Sequence, residues 1–275
     1  MNDYLRAALL GLIQALTEFL PISSSGHLIL APQLLGGSVS SLTFDVGLHA
    51  GTLTATLAYF WRDWVRIARA TVADLIGHGL RVGRWSEASR LGLWIALGTL
   101  PAVIVGIPLD GPIEAYTRQP LVVGVLLIVF ALVLWWADRI PQRVHGLARV
   151  GPYQALWIGV AQAIALVPGV SRAGITISAA RVLQFDRETA TRFAFLLAMP
   201  AVLAATSLKL AGVALGHEPV RWGPMAVGAL VSGLAGIAVI HWLLRYLRTH
   251  SLLPFVWYRI AIGLAVIAGV ISGRP

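Results

Sequence analysis

The sequence predicts an all-α integral membrane protein built as an inverted-topology repeat, and three observations lead to that prediction. The chain of 275 residues is 57% hydrophobic with a mean hydropathy of +0.79, and its apolar residues form long runs. Only 12% of the residues are charged, whereas a soluble domain carries about 25%. In addition, the first apolar segment recurs in the middle of the chain.

Six apolar runs are long enough to cross a bilayer, which takes about 20 residues. They cover residues 44–60, 91–109, 121–137, 193–211, 224–244 and 255–271. None of them alternates with a period of two, which excludes the strands of a β-barrel. We therefore expect about six full transmembrane helices in a single polytopic domain over residues 1–275. In the run 224–244, Gly228, Ser232 and Gly236 share one face, which predicts close helix packing there.

Two further apolar runs are too short to span the membrane and are interrupted by Pro, Ser and Gly. Residues 7–22 break at Pro21 and residues 153–167 break at Pro168, after which each resumes as a second short run. This pattern predicts two re-entrant helix–loop–helix hairpins, which are stable at membrane depth when they are buried in protein or line a polar cavity. A cleaved signal peptide is the alternative for the first run, but a copy of the same segment in mid-chain argues against it.

That copy is an internal repeat with an offset of 148 residues. Residues 7–31 and 155–179 share eight identities in 25 positions without a gap, and shared alanine and leucine richness is the alternative explanation. The two repeats cover about residues 1–140 and about residues 150–275. Each contains one hairpin and three crossings, so the second must be inverted relative to the first, as in many transporters. The two hairpin tips can then meet within the membrane.

The positions of the arginines test this inversion. If both termini lie outside, the inside loops 61–90, 138–152, 181–192 and 245–254 contain six, three, three and two arginines. The outside loops 110–120 and 212–223 contain only Arg118 and Arg221. Because cytoplasmic loops carry an excess of positive charge, this distribution supports the inverted arrangement.

Composition also excludes several classes of function. Only 12% of the residues are charged, which excludes a water-soluble enzyme, a disordered chain and a nucleic-acid partner despite the formal net charge of +9. The basic residues lie mostly between apolar runs, as in the cytoplasmic loops of a membrane protein. The chain has no cysteine, which excludes disulfides, thiolate metal sites and cysteine nucleophiles. Membrane lipid is the expected surrounding partner, and the oligomeric state stays open between a monomer and a homodimer.

The first hairpin contains a carboxylate and an amide that face the same way. Gln14 and Glu18 are four residues apart and share a helix face. Their oxygens are suitable ligands for a hard divalent cation that keeps positions for phosphate and water. The alternative is that Glu18 is buried only to pair with Arg172.

The tip of this hairpin has the sequence Ser23-Ser24-Ser25-Gly26-His27. Serines at a helix start cap the helix, and the free N–H groups there suit a phosphate. His27 can act as a base, an acid or a nucleophile near neutral pH. The plainer interpretations are an ordinary cap and a core histidine, and we interpret His49 and His241 as core residues.

The tip of the second hairpin supplies Ser171, Arg172, Gly174 and Thr176. The planar guanidinium of Arg172 matches phosphate oxygens with two parallel donors. An ionisable group at membrane depth is costly and therefore usually functional. Together the two tips predict a site that handles phosphate.

The residues that carry this prediction also resemble a known family. Residues 14–21 with 23–27 resemble the first signature of the undecaprenyl-diphosphatase, or bacitracin-resistance, family, and residues 168–176 resemble the second. The similarity extends over essentially the whole chain, including 60–62 and 254–259. The resemblance implies hydrolysis of a C55 polyprenyl diphosphate to its monophosphate and inorganic phosphate at the outer face of the bacterial plasma membrane. That reaction recycles the lipid carrier of peptidoglycan and other envelope polymers.

The resemblance also implies roles for individual residues. Ser24, His27, Glu18 and Arg172 are the catalytic candidates, with Glu18 and Gln14 as ligands of a divalent cation, Mg²⁺ or Ca²⁺. The remaining candidates for binding substrate are Gln14 itself, Ser23, Ser25, Gly26, Ser171, Gly174 and Thr176. From the residues, we expect Ser24 to attack phosphorus with His27 as its base, and attack by His27 or by water stays open.

Two departures and one rival function accompany this hypothesis. Gln14 stands where many members have Glu, and Ala173 stands where a second Ser is usual. The rival is a transporter or flippase of a lipid phosphate or organic anion, because inverted repeats with broken helices are the usual design of transporters. A transporter needs binding groups but no nucleophile, and the concentration of Ser24, His27 and Arg172 at the tips therefore favours an enzyme.

Overall fold

The structure is a computed structural model that describes residues 2–28, 42–117, 119–214 and 221–272. Ten helices in this part of the chain are numbered here in order. They are α1 (Asp3–Phe19), α2 (Leu42–Tyr59), α3 (Trp61–His78), α4 (Glu87–Thr117), α5 (Pro120–Asp138), α6 (Pro152–Ile164), α7 (Arg172–Val182), α8 (Arg187–Ala214), α9 (Trp222–Tyr246) and α10 (Leu253–Ile271). A further helix begins at residue 24 and is described to residue 28. Arg118 and residues 29–31 of the repeat comparison lie outside the described residues.

The protein is an all-α integral membrane protein. Five of the described helices are long and apolar enough to cross a membrane: Glu87–Pro108, Pro120–Asp138, Arg187–Lys209, Trp222–Tyr246 and Leu253–Ile271. They correspond to five of the six predicted crossings. The sixth, α2, is helical over 18 residues but is less apolar because it contains Asp45, His49 and several threonines.

Both short apolar runs form a helix, a break and a second helix. Helix α1 has 17 residues and α6 has 13, so they rise about 25 Å and about 20 Å, less than the hydrocarbon core of about 30 Å. Helix α7 adds only 11 residues after the second break. A helix, a break and a second helical segment are therefore present at both places, and their arrangement as re-entrant hairpins in the membrane stays a prediction.

Each hairpin packs against a spanning helix from the other half of the chain. Helix α1 lies on α9, and α6 lies on α4. At both crossings glycine lets the backbones touch, since a Cβ on Gly11 would overlap the carbonyl of Gly228 and one on Gly159 would overlap the carbonyl of Gly98. Small residues at helix contacts are the main device for close packing in membranes.

The predicted small face of α9 is confirmed as a packing face. A Cβ on Gly228 would come within 2.8 Å of Leu48, and the Ser232 hydroxyl donates to the Leu48 carbonyl at 3.0 Å. A Cβ on Gly236 would come within 2.8 Å of Phe19. This face therefore holds α1 and α2 together, which are the two helices that carry Glu18 and His49.

The 61–90 segment is more structured than the plain connecting loop that the sequence suggested. It contains α3, an 18-residue helix with mostly exposed side chains. Asp74 on α3 accepts hydrogen bonds from the Ser86 backbone N–H at 2.8 Å and from the Ser86 and Ser89 hydroxyls at 2.7 and 2.5 Å. These bonds satisfy donors at the start of α4, and they hold the pKa of the Asp74 carboxyl below its usual range. The surface helix is thereby docked on α4.

Candidate active site

Glu18 is the centre of the site. It lies in the last turn of α1, and its side chain is 11% exposed. Its Oε2 accepts a hydrogen bond from the Ser24 hydroxyl at 2.6 Å and one from the Gln14 amide at 3.3 Å. Its Oε1 lies 3.7 Å from the Arg172 guanidinium. Three of the predicted catalytic residues, from both hairpins, are therefore in contact through one carboxylate.

The backbone conformation of the first tip explains how Ser24 reaches Glu18. Helix α1 ends at Phe19, and Ser23 has a left-handed φ of 78°, which is uncommon for a residue with a side chain. The Ser23 hydroxyl accepts a hydrogen bond from the Gly26 backbone N–H at 3.4 Å. Because the chain reverses at Ser23, the Ser24 side chain faces back toward α1.

The second tip has the same local conformation. Ser171 has a φ of 73° and precedes the first residue of α7. Its hydroxyl accepts from the Gly174 backbone N–H at 3.1 Å. Arg172 therefore occupies the position after the left-handed serine in this tip, as Ser24 does in the first. Left-handed serines persist only where the surroundings stabilise them, and such strain is concentrated at functional sites.

The two tips also touch directly. The Gly169 backbone N–H donates to the Ser25 hydroxyl at 3.4 Å, and the same hydroxyl lies 3.3 Å from the Ser23 hydroxyl. Thr176 is buried, and its hydroxyl donates to the Arg172 carbonyl at 2.7 Å. The Gly174 backbone is closely packed, since a Cβ there would lie 2.8 Å from the Arg259 guanidinium. The predicted substrate-binding residues thus lie together, several of them in bonds that shape the tips.

His27 differs from its predicted place as the base for Ser24. Its Nδ1 bonds the Ser23 carbonyl at 2.8 Å, so this nitrogen carries the proton. Its Nε2 lies 2.8 Å from the Tyr258 hydroxyl, which donates to it, and the two rings stack. The expected pairing rested on a spacing of one helical turn. Because Ser24 faces α1, its hydroxyl bonds Glu18 instead, and both nitrogens of His27 are engaged elsewhere.

His49 lies in the site, although the sequence interpretation placed it in the core. Its Nε2 is 3.8 Å from Glu18 Oε2, and its Nδ1 bonds the Asp45 carbonyl at 2.8 Å. No motif in the sequence links His49 to the first tip. His49 lies in a different helix, and the number of residues between the tip and α2 does not predict which of their side chains meet. The sequence feature that could have predicted this position is the histidine itself, because an ionisable residue in an otherwise apolar membrane helix usually has a function.

A small cavity adjoins Glu18 and Arg172. It has a volume of about 30 Å³, which is room for about two water molecules. Its walls combine hydroxyl and apolar side chains: Thr52, Thr56, Thr176, Phe19, Phe195 and Met199. The cavity leaves space for a small polar group beside the carboxylate and the guanidinium.

Comparison with known proteins shows the family of this chain. The family of bacitracin resistance protein BacA matches residues 7–265. The chain belongs to this family. It is 45% identical over 268 residues to the undecaprenyl-diphosphatase of Chromohalobacter salexigens, which covers 98% of this chain and 99% of the relative. It is also 47% identical over 268 residues to the undecaprenyl-diphosphatase of Geobacter sulfurreducens, covering 97% of this chain and 98% of the relative.

Two possible oxygen ligands of a cation lie on one face of α1 in this BacA-family chain. Gln14 Oε1 is buried and has no hydrogen-bond partner in the described structure, and Glu18 supplies a carboxylate on the same helix face. In the described part of the chain, no group of three or more His, Asp or Glu residues could enclose a metal. The donor set therefore fits Mg²⁺, which is bound in proteins by one or two carboxylates together with substrate phosphates and water. It does not fit a cage made of protein ligands alone.

A substitution of Arg172 tests whether its planar fork is needed. Arg172→Lys keeps the charge but loses the two parallel donors, so we expect turnover to fall on the order of 10²-fold. Phosphate release by the purified variant measures this. Arg248→Lys is the control, because Arg248 also pairs with a glutamate, Glu188, through two bonds of 2.9 and 2.8 Å, but on an exposed surface. Turnover close to wild type in Arg172→Lys would show that Arg172 only balances the charge of Glu18.

Proposed function

We propose that this chain hydrolyses undecaprenyl diphosphate to undecaprenyl phosphate and inorganic phosphate, and so regenerates a lipid carrier for peptidoglycan and other envelope polymers. The observation that carries the proposal is the 2.6 Å hydrogen bond from Ser24 to Glu18, beside the guanidinium of Arg172. A nucleophile bonded to a base, with a group that can bind the phosphate, is the minimum set for phosphoryl transfer. A transporter needs no nucleophile, so this contact favours hydrolysis.

The first step uses Ser24 and Glu18. Glu18 accepts the hydroxyl proton while Ser24 Oγ attacks the terminal phosphorus, and the bond from that phosphorus to the bridging oxygen breaks. Undecaprenyl phosphate leaves, and a phosphoserine remains. Glu18 is oriented for this role by Gln14, which donates to the oxygen that also accepts from Ser24.

The second step consumes water. A water molecule attacks the phosphoserine and the Ser24 Oγ–P bond breaks. Glu18 returns its proton to Ser24 Oγ, and inorganic phosphate leaves with the oxygen and the protons of the water. The cavity lined by Glu18 and Arg172 offers space for this water molecule. Arg172 binds the phosphate oxygens in both steps, since its ion pair with Glu18 at 3.7 Å is too loose to occupy its N–H donors.

His27 serves this reaction by orientation rather than as the base of Ser24. Its bonds to the Ser23 carbonyl and to Tyr258 connect the first tip to α10. His49, 3.8 Å from Glu18 Oε2, is a second cationic partner when it is protonated. Glu18 and Gln14 would hold a divalent cation, Mg²⁺ or Ca²⁺, which would neutralise negative charge on the diphosphate.

We further propose that the protein lies in the bacterial inner membrane with both termini and the site's opening on the periplasmic side. The arginine-rich segments 61–90, 138–152, 181–192 and 245–254 then lie in the cytoplasm. The substrate enters from the bilayer, where its C55 chain remains. The mass of the purified complex separates a monomer from a homodimer.

Phosphate release tests the function directly. Purified protein in detergent should release inorganic phosphate from C55 diphosphate, and a chelator should abolish the release if a cation completes the site. Restoring Mg²⁺ or Ca²⁺ identifies the cation. No release with either cation would refute the proposed hydrolysis, whereas full activity in chelator would refute the cation alone.

Trapping identifies the nucleophile. Rapid-quench samples with substrate labelled in its terminal phosphate should contain a phosphoenzyme that is stable to acid and labile to base, as a phosphoserine is. Ser24→Ala should abolish the label, and Glu18→Gln should slow its formation because the base is lost. Ser207→Ala is the control, since Ser207 lies exposed on α8. An acid-labile label would assign the attack to His27, and no label in an active enzyme would assign it to water.

Single cysteines test the orientation, because the chain contains none of its own. A membrane-impermeant thiol reagent applied from the periplasm should label cysteines placed beside Arg118 and Arg221. It should not label those beside Arg69 and Arg143 until the cells are opened. Reversed labelling would contradict the proposed topology.

A further inference from the structure

Arg259 is a buried cation that the reaction described above does not use. It lies in α10 with 0% exposure. Among the residues that the structure describes it forms no ion pair, and its hydrogen-bond partners are backbone carbonyls. Burying a guanidinium without a carboxylate is costly, so the four bonds it makes have to be strong and well placed.

Three of the four carbonyls belong to the two hairpin tips. Arg259 Nη1 donates to Pro21 in the first tip at 3.2 Å. Its Nη2 donates to Gly169 at 3.0 Å and to Val170 at 2.9 Å in the second tip. Its Nε donates to Leu127 of α5 at 3.2 Å. One side chain thus ties both tips to each other and to a spanning helix.

Three of the bonded carbonyls lie one or two residues before the two left-handed serines. Pro21 is two residues before Ser23, and Val170 is the residue before Ser171, whose φ angles are 78° and 73°. Those serines turn the chain so that Ser24 and Arg172 face Glu18. The backbone strain at each serine is therefore held in place by bonds from the same guanidinium.

The surroundings of Arg259 allow it little movement. A Cβ on Gly174 would lie 2.8 Å from its Nη1. The preceding residue, Tyr258, bonds His27 at 2.8 Å. Two adjacent residues of α10 therefore bind the first tip: Arg259 bonds its backbone, and Tyr258 bonds its histidine.

We propose that Arg259 is a positioning residue for the hydrolysis: it aligns the two hairpin tips so that Ser24, Glu18 and Arg172 meet in the reacting geometry. This inference rests on the proposed function, because its readout is turnover. Arg259 touches no predicted reacting atom, so its effect is expected in kcat rather than in substrate binding. A displacement of about 1 Å among reacting groups can cost about 10²-fold in rate.

Arg259→Lys is the decisive variant, and Arg181→Lys is its matched control. Arg181 is also 0% exposed and also donates to backbone carbonyls, those of Asp138, Ile140 and Phe185, away from the tips. Lysine keeps the charge in both but cannot reproduce the planar fork. Both variants should lose thermal stability, whereas only Arg259→Lys should lose roughly 10²-fold in kcat per folded molecule with KM almost unchanged.

Gly174→Ala provides a second route that keeps Arg259. The added Cβ would lie 2.8 Å from the Arg259 Nη1 and 3.2 Å from the Ser171 side chain, so kcat should fall. A double variant with Arg259→Lys that loses less than the sum of the two single losses assigns the fall to the contact with the guanidinium. If Arg259→Lys does not fold, the kcat of Gly174→Ala tests the inference in its place. An unchanged kcat in Gly174→Ala would then overturn the inference.

The outcomes separate this inference from the proposed function. If the wild type releases no phosphate, the proposed function fails. If the wild type is active and Arg259→Lys keeps its kcat, Arg259 supplies charge or stability alone and the positioning role is refuted. An equal loss of kcat in Arg181→Lys refutes it as well, because the effect would then follow general destabilisation.

Discussion

Every peptide group in an apolar bundle needs a hydrogen-bond partner, because no water is present to replace a missing one. In this chain the constraint is most demanding where the two hairpins break, after Phe19 and after Ile164. There the carbonyls lose their helical partners. Arg259 satisfies three of them and adds one from α5. The position of the tips, and with it the whole site, depends on this set of bonds.

The same constraint explains why the site can hold charge at all. The Glu18 carboxylate receives donors from Ser24 and Gln14 and has Arg172 and His49 nearby. Each partner lowers the cost of burying the charge. Because these partners come from both hairpins and from α2, removing any one element would raise the cost of burying the carboxylate.

Much of this arrangement was predictable from the sequence, and the reasons are local. Apolar run length predicted six spanning helices, and five helices of the described structure are long and apolar enough to cross a membrane. The residues at Pro21 and Pro168 predicted that both short runs are interrupted, because this signal lies within one segment. The signatures also located Glu18, Ser24 and Arg172. Contacts between distant segments were not predictable in this way, as Tyr258 shows by bonding a residue 231 positions earlier.

The absence of the expected hydrogen bond between Ser24 and His27 has a specific physical cause. Spacing along a helix predicts which side chains share a face, and that rule suggested that Ser24 and His27 would pair. It does not describe a residue that follows a left-handed turn. Ser23 reverses the chain, so Ser24 meets the helix before the turn, and Glu18 becomes its partner across six residues.

The two tips also show why one site results from two similar hairpins. With the offset of 148 residues, Ser23 corresponds to Ser171 and Ser24 corresponds to Arg172. The left-handed serine and its bond to a glycine N–H are common to both tips. The next position differs, and it is the nucleophile candidate in one tip and the guanidinium in the other.

Because of this difference, the proposed reaction requires that the two hairpins touch. Each tip presents one side chain at the position after its left-handed serine, so neither tip alone can supply both Ser24 and Arg172. Leu166 stands at the position that corresponds to Glu18, so only the first hairpin supplies a carboxylate. Glu18 contacts both Ser24 and Arg172, and it does so because the bonds of Arg259 hold the two breaks at one place. A pair of hairpins that were merely adjacent would present the same residues without joining them into a site.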